Sequence, residues 1–165
     1  MRKHTLVVLA CAGATVLALP ATASAEETDC RGTIGATTLD NVRVPDGATC
    51  ELRGTRIKGT VKVETGATLR AFGVRVVGNV QAENHKQVNV SGSRVGGSVQ
   101  VKQGGGSSLS GNSVGGDVQY FTNAGAISIR SNRIDGNLQC KENRPAPTGG
   151  GNVVQGNKED QCARL

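Results

Sequence analysis

One unit recurs through the middle of this chain: Arg-[Val/Ile]-x-Gly-x-Val-x-Val. Its glycine falls at Gly59, Gly78, Gly97, Gly116 and Gly136, at intervals of 19, 19, 19 and 20 residues. A partial copy follows at Asn152–Asn157, and a degenerate one precedes the series around Thr38 to Val44. A repeat of this length marks a unit that cannot bury its own apolar face and must stack on its neighbours. Within each unit the apolar residues alternate, which is the period of a strand. Four columns emerge. Ile57, Val76, Val95, Val114, Ile134 and Val154 form one. Val42, Val61, Val80, Val99, Val118 and Leu138 form another. The third is Val44, Val63, Ala82, Val101, Tyr120 and Cys140, and the fourth Leu52, Ala71, Val90, Leu109 and Ile129.

Three short alternating strands with glycine corners make one coil of a β-helix, with coils about 4.8 Å apart. The expected fold is therefore all-β. It is a single-stranded parallel β-helix, a right-handed β-solenoid of about five to six coils of 19–20 residues. The coils span residues 38–142, with a C-terminal loop and cap over 143–165. Composition fits. A narrow core has no room for stacked rings, and the only aromatics are Phe72, Tyr120 and Phe121. The 24 glycines are expected at corners with positive φ. No 3.6-residue apolar stripe supports a helix.

The N-terminus has the pattern of an export signal. Arg2, Lys3 and His4 precede an uncharged apolar run, Leu6 to Leu19, then Pro20 and the small residues Ala23-Ser24-Ala25. Cleavage after Ala25 leaves 26–165 as one solenoid domain, in which no second apolar stretch offers a membrane span. A lipoprotein signal at Val8-Leu9-Ala10-Cys11 would leave almost no apolar core ahead of its cysteine. Loss of Arg2 and Lys3 lowers the net charge from +6 to +4. Four cysteines remain, and an even count in an exported domain predicts two disulfides. Cys50 shares an inward column with Leu69, Val88 and Ile127, and Cys30 lies one coil earlier. Cys140 and Cys162 are again about one coil apart. Residues stacked on adjacent coils meet the Cα spacing a disulfide needs. The expected bridges are Cys30–Cys50 and Cys140–Cys162, one stapling each end.

Outward positions stack as well. Gln81, Gln100, Gln119 and Gln139 form a polar ladder, preceded by Arg43 and Lys62. Aligned amides stabilise neighbouring coils or present a flat face to a polysaccharide. Arg56, Arg75, Arg94 and Arg133 form a second column, interrupted by Ser113. Like charges one strand apart repel by about 1 kcal/mol in water. The column is thus either a solvated face relieved by Asp135 or Glu64, or a stripe for polyanions such as wall phosphates and acidic sugars. Asn112, Asn132 and Asn152 stack at a corner after Thr55 and Ser93, and asparagine tolerates left-handed turn conformations.

Catalytic patterns are sparse. Arg56-Ile57-Lys58 resembles a substrate-contact tripeptide of polygalacturonases, but that family's paired aspartates and histidine motif are missing. His85, in the loop Glu83-Asn84-His85-Lys86, is expected to be solvated. Asp117 and Asp135 lie on adjacent coils but at offset positions, and glycoside hydrolysis needs two carboxylates flanking one bond. One histidine and four paired cysteines supply no zinc set, and no metal or cofactor is expected. Gly115-Gly116-Asp117 departs from the calcium-binding nonapeptide. The segment Asn143–Gly151 is a turn-rich excursion that echoes a sortase signal without its leucine or apolar tail. No regular threonine pairs line up as an ice-binding face would require.

In their Gly-x-Val-x-Val coils, residues 41–140 resemble the bactofilins, polymer-forming β-helical proteins of bacteria. That resemblance implies stacked coils and filament formation. The cysteines near both ends and the export signal depart from it. The stretches Gly136-Asn137-Leu138-Gln139-Cys140-Lys141 and Gly156–Cys162 are similar to small secreted actinobacterial β-helix proteins, which lend no assigned activity. The expected role is a secreted, non-enzymatic structural or binding protein of the cell envelope or extracellular space. Its expected partner is a wall polyanion or polysaccharide, not nucleic acid. The alternatives are a carbohydrate-active lyase or hydrolase, and a self-assembling polymer.

Overall fold

The computed structural model describes residues 25–165; the export signal expected over 1–25 lies outside them, apart from Ala25. Every regular element among the described residues is a strand, and every pairing is parallel. The first sheet has eight strands: Glu27–Asp29, Asn41–Val44, Val61–Val63, Val80–Glu83, Val99–Lys102, Val118–Phe121, Leu138–Lys141 and Lys158–Asp160. The second has seven, from Gly32–Ile34 through Thr68–Phe72 and Gln87–Ser91 to Thr148–Gly150. The third also has seven, each of two residues, from Thr38–Leu39 to Val153–Val154. The chain visits the sheets in turn, so the molecule is a solenoid of about seven turns. The four apolar columns are in the expected register, one residue per coil.

The stack is one to two turns longer than the five to six coils expected. Strands 27–34 precede the expected start, and strands 148–160 lie in what reads as loop and cap. The terminal coils carry Thr28, Gly32, Gly149, Lys158 and Asp160 in the inward register, in place of valine and leucine. The apolar alternation is lost there. Backbone hydrogen bonding, which does not depend on side chains, continues.

Both expected disulfides are present. Cys30–Cys50 has a Cα separation of 5.4 Å and Cys140–Cys162 one of 5.2 Å. Such bonds fit an oxidising compartment. Between them the apolar side chains of the core are aliphatic, with one exception. Tyr120 is fully buried, and its hydroxyl lies 3.1 Å from Ser107 Oγ. Ser107 occupies the column of Cys50, Leu69, Val88 and Ile127. A small polar residue there makes room for one ring and satisfies its hydroxyl. Burial pushes the Tyr120 pKa up to about 12, against the Ser107 hydrogen bond.

Three corners close each coil, and each is solved differently. At the first, positive φ falls on Gly54, Gly73, Gly92, Gly111, Ser131 and Gly151. Inward-pointing Asn112, Asn132 and Asn152 follow it. These asparagines do not take the left-handed conformation expected of them; the residue before each does. Their amides instead run along the axis inside the core. Asn132 Oδ1 accepts from the Asn112 N–H and Nδ2, both at 3.0 Å, and Asn132 Nδ2 donates to Leu109 O and Asn152 Oδ1, both at 2.9 Å.

The second corner holds the repeat glycines 59, 78, 97, 116, 136 and 156, none of which has positive φ. Their small size is needed for a different reason: the preceding coil's backbone and a ladder oxygen occupy the space a Cβ would take. In that ladder Asn79 Oδ1 accepts the Ser98 N–H at 2.8 Å, Ser98 Oγ the Asp117 N–H at 3.1 Å, and Asp117 Oδ1 the Asn137 N–H at 2.7 Å. At the third corner non-glycine residues Asn84, Gln103, Thr122, Glu142 and Asp160 take positive φ. A second inward amide ladder follows them, Asn123–Asn143–Gln161.

Candidate functional site

The third sheet places Arg56, Arg75, Arg94, Ser113 and Arg133 in one outward column. Two-residue strands force this. The second residue of each (Ile57, Val76, Val95, Val114, Ile134) is buried, so the first must point out. Arg133 lies 3.6 Å from Asp135. Among the described residues no carboxylate comes within ion-pair distance of Arg56, Arg75 or Arg94. The expected relief by Glu64 is absent, because Glu64 pairs with Lys62 at 2.9 Å on another face. Three exposed guanidinium groups therefore stand unpaired on consecutive rungs.

Their surroundings were not legible from the repeat alone. Phe72 ends its strand pointing outward and is 36% exposed. Arg53 precedes it on the same column, with the guanidinium carbon 5.3 Å from the ring centroid. Ser91 follows it, then Ser110. Val77, two residues beyond Arg75, is 52% exposed. Between the Arg53–Phe72–Ser91–Ser110 column and the arginine column run Gly54, Gly73, Gly92 and Gly111. A Cβ on Gly73 or Gly92 would meet no atom within 4 Å.

The glutamine ladder is real but interrupted. Gln81 Nε2 donates to Gln100 at 3.3 Å, Gln119 to Gln139 at 2.8 Å, and Gln139 to Glu159 at 2.8 Å. No bond joins Gln100 to Gln119 among the described residues. At its N-terminal end Arg43 donates to both carboxylate oxygens of Asp29, at 2.8 and 3.1 Å. Most of this column is spent on coil-to-coil bonding. Lys62, Gln81 and Gln100, with Glu64, Glu83 and Lys102 beside them, line a shallow polar depression.

The two aspartates of interest have separate tasks. Asp117 holds the corner ladder, and Asp135 faces Arg133. Among the described residues, no three His, Cys, Asp or Glu side chains converge as a metal site would require.

His85 overturns its expectation. Its side chain is 2% exposed, and neither ring nitrogen has a hydrogen-bond partner. It occupies the inward corner position ahead of Gly104, and the missing side chain of Gly104 provides the space its ring fills. A charged neighbour sequence, Glu83 to Lys86, gave no hint of this. Burial holds the His85 pKa below its ordinary value, with the Gly106 backbone acting in the other direction. The sign follows. Above about pH 6.5 the ring is neutral in folded and unfolded chains alike. Below it the unfolded chain takes up a proton that the folded chain resists, so stability falls with pH until the folded ring also protonates. Urea midpoints should therefore drop between pH 7 and 5, above the carboxylate range, and His85→Leu should flatten that limb. A slope unchanged in the variant would assign the effect elsewhere.

The chain matches no protein-family model, no curated protein and no solved structure.

Proposed function

We propose that this is a non-enzymatic binding solenoid of an extracellular or envelope compartment, and that it holds an anionic polymer along Arg56, Arg75 and Arg94. The observation that carries this reading is the unpaired state of three stacked, exposed arginines. Arg43, Arg53 and Arg133 each have a carboxylate within ion-pair distance, whereas Arg56, Arg75 and Arg94 have none and also stand directly above one another. Leaving three adjacent rungs without one sustains mutual repulsion of about 1 kcal/mol per neighbour before salt screening. A polyanion removes that repulsion and gains planar, charge-assisted hydrogen bonds. The two disulfides support an oxidising location.

The test is co-sedimentation of the oxidised protein with purified cell-wall sacculi over a salt series. Arg75→Ser/Arg94→Ser should weaken binding by about tenfold or more, the effect of roughly 1.4 kcal/mol. Lys141→Ser/Arg144→Ser makes the same change in net charge at two exposed positions away from the column, and should change binding little. Equal losses in both variants would leave only a net-charge effect. Absence of binding at low salt would remove the wall-polyanion reading.

A further inference from the structure

We infer that the polymer held by the arginine column is an acidic polysaccharide, with one sugar ring stacked on Phe72 and its charged groups on Arg75 and Arg94. This rests on the polyanion reading above and names the class of polyanion. Simple charge attraction needs no aromatic, yet an exposed phenylalanine stands beside the unpaired arginines in a chain with two phenylalanines in all. In one coil the outward order is Arg70, Phe72, Arg75, Val77: cation, ring, cation, aliphatic. That alternation suits a ligand with apolar C–H faces and anionic edges, which describes a uronic-acid sugar. Arg53 covers the ring from one neighbouring rung. The rung on the other side offers only Ser91 and then Ser110, so a flat ligand meets short hydroxyl side chains beside Phe72.

The backbone between the two columns is bare. Gly73 and Gly92 leave a lane without side chains, walled by Phe72 and Ser91 on one side and by Arg75 and Arg94 on the other. It runs parallel to the solenoid axis. From Gly54 to Gly111 it covers three coil steps, roughly 14 Å at strand spacing. A linear glycan with one carboxylate per ring repeats on a scale comparable with the rungs. A ring-free phosphodiester chain would satisfy the arginines and leave Phe72 without a role. Nucleic acid would want a series of stacking platforms, and this lane has one.

The experiment compares three probes by calorimetry with the oxidised protein: an oligogalacturonate, a polyglycerol phosphate and a single-stranded oligodeoxynucleotide. Oligogalacturonate should bind most tightly, Phe72→Ala should weaken it about tenfold, and Phe72→Trp should preserve it. Gly92→Asn is a second probe. Asparagine tolerates the φ of +56° there and would fill the lane, so it should weaken binding about tenfold while the thermal midpoint holds. Should Arg75→Ser/Arg94→Ser abolish oligogalacturonate binding while Phe72→Ala and Gly92→Asn leave it intact, the sugar-ring inference falls and the polyanion reading stands. Tighter binding of polyglycerol phosphate or of the oligodeoxynucleotide would also overturn the inference. No arginine-dependent binding of any probe would sink both.

Discussion

Asn132→Ala should lower folding stability by about 3–4 kcal/mol, although Asn132 is buried and belongs to none of the apolar columns. Its amide is the central rung of the inward ladder. Losing it leaves the Asn112 N–H with no acceptor, strips one acceptor from the Asn112 amide, and removes one donor each from Leu109 O and Asn152 Oδ1. An unsatisfied buried polar group costs about 1–3 kcal/mol, and a small void adds to it. Asn132→Asp separates the contributions. It keeps the oxygen that accepts from Asn112 but turns the donor into a second acceptor facing Leu109 O and Asn152 Oδ1. At neutral pH it should be at least as damaging as alanine. In acid, once protonated, it can donate again, and part of the loss should return. Urea midpoints of the three proteins at pH 7 and pH 4 measure this. A loss below about 1 kcal/mol for alanine would mean water replaces the amide and the ladder is dispensable.

The contrast between what the repeat revealed and what it concealed has a physical basis. Val61, Val80, Val99 and Val118 could be stacked correctly from spacing alone, because period-two alternation and a 19-residue step leave one register in which the apolar residues all face inward. The same step put Cys30 against Cys50 and Arg56 against Arg75. The burial of polar side chains at the corners obeyed no such rule. Asn123, Asn143 and His85 have the composition of solvated loops and are buried, at 1%, 2% and 2% exposure, because the corner residue before each turns them inward. Residue type does not record that turn. Phe72 shows the converse. Its apolar character suggested no outward role, but it holds an odd position in a strand whose inward residues are Leu69 and Ala71.

The ends follow the same logic. Ile34 and Leu39 still pack on the core at the N-terminal end, whereas Lys158 and Asp160 occupy the inward register of the last coil. Charges in that register blunt an exposed strand edge, since a further coil would have to bury them. Lys158 and Asp160 thus disfavour the pairing of a further coil on that edge. A stapled, internally hydrogen-bonded solenoid of this kind holds its outward residues at a constant interval, which is what a repeating polymer requires of a binding surface.

The rigidity of that interval depends on the glycines of the second corner, and Gly78→Ala should cost about 3 kcal/mol or more. A Cβ there would lie 2.7 Å from the Gly59 carbonyl oxygen, 2.8 Å from its carbon and 2.9 Å from Thr60 Oγ1. Two of the three are backbone atoms of the preceding coil. They cannot retreat without stretching the 2.9 Å bond from the Gly78 N–H to Gly59 O, and with it the adjoining strand pairs. Gly73, five residues earlier in the same coil, provides the comparison. It has φ +60° and open space around its Cβ position, so alanine there pays only the left-handed penalty of about 1–2 kcal/mol. Asparagine should separate them further: tolerated at Gly73, where it accepts the conformation, and worse than alanine at Gly78, where only volume matters. Urea denaturation of the four variants at constant slope reads the difference. Equal losses at the two positions would show that glycine serves this fold through backbone freedom alone, and that the close approach of the coils carries no cost.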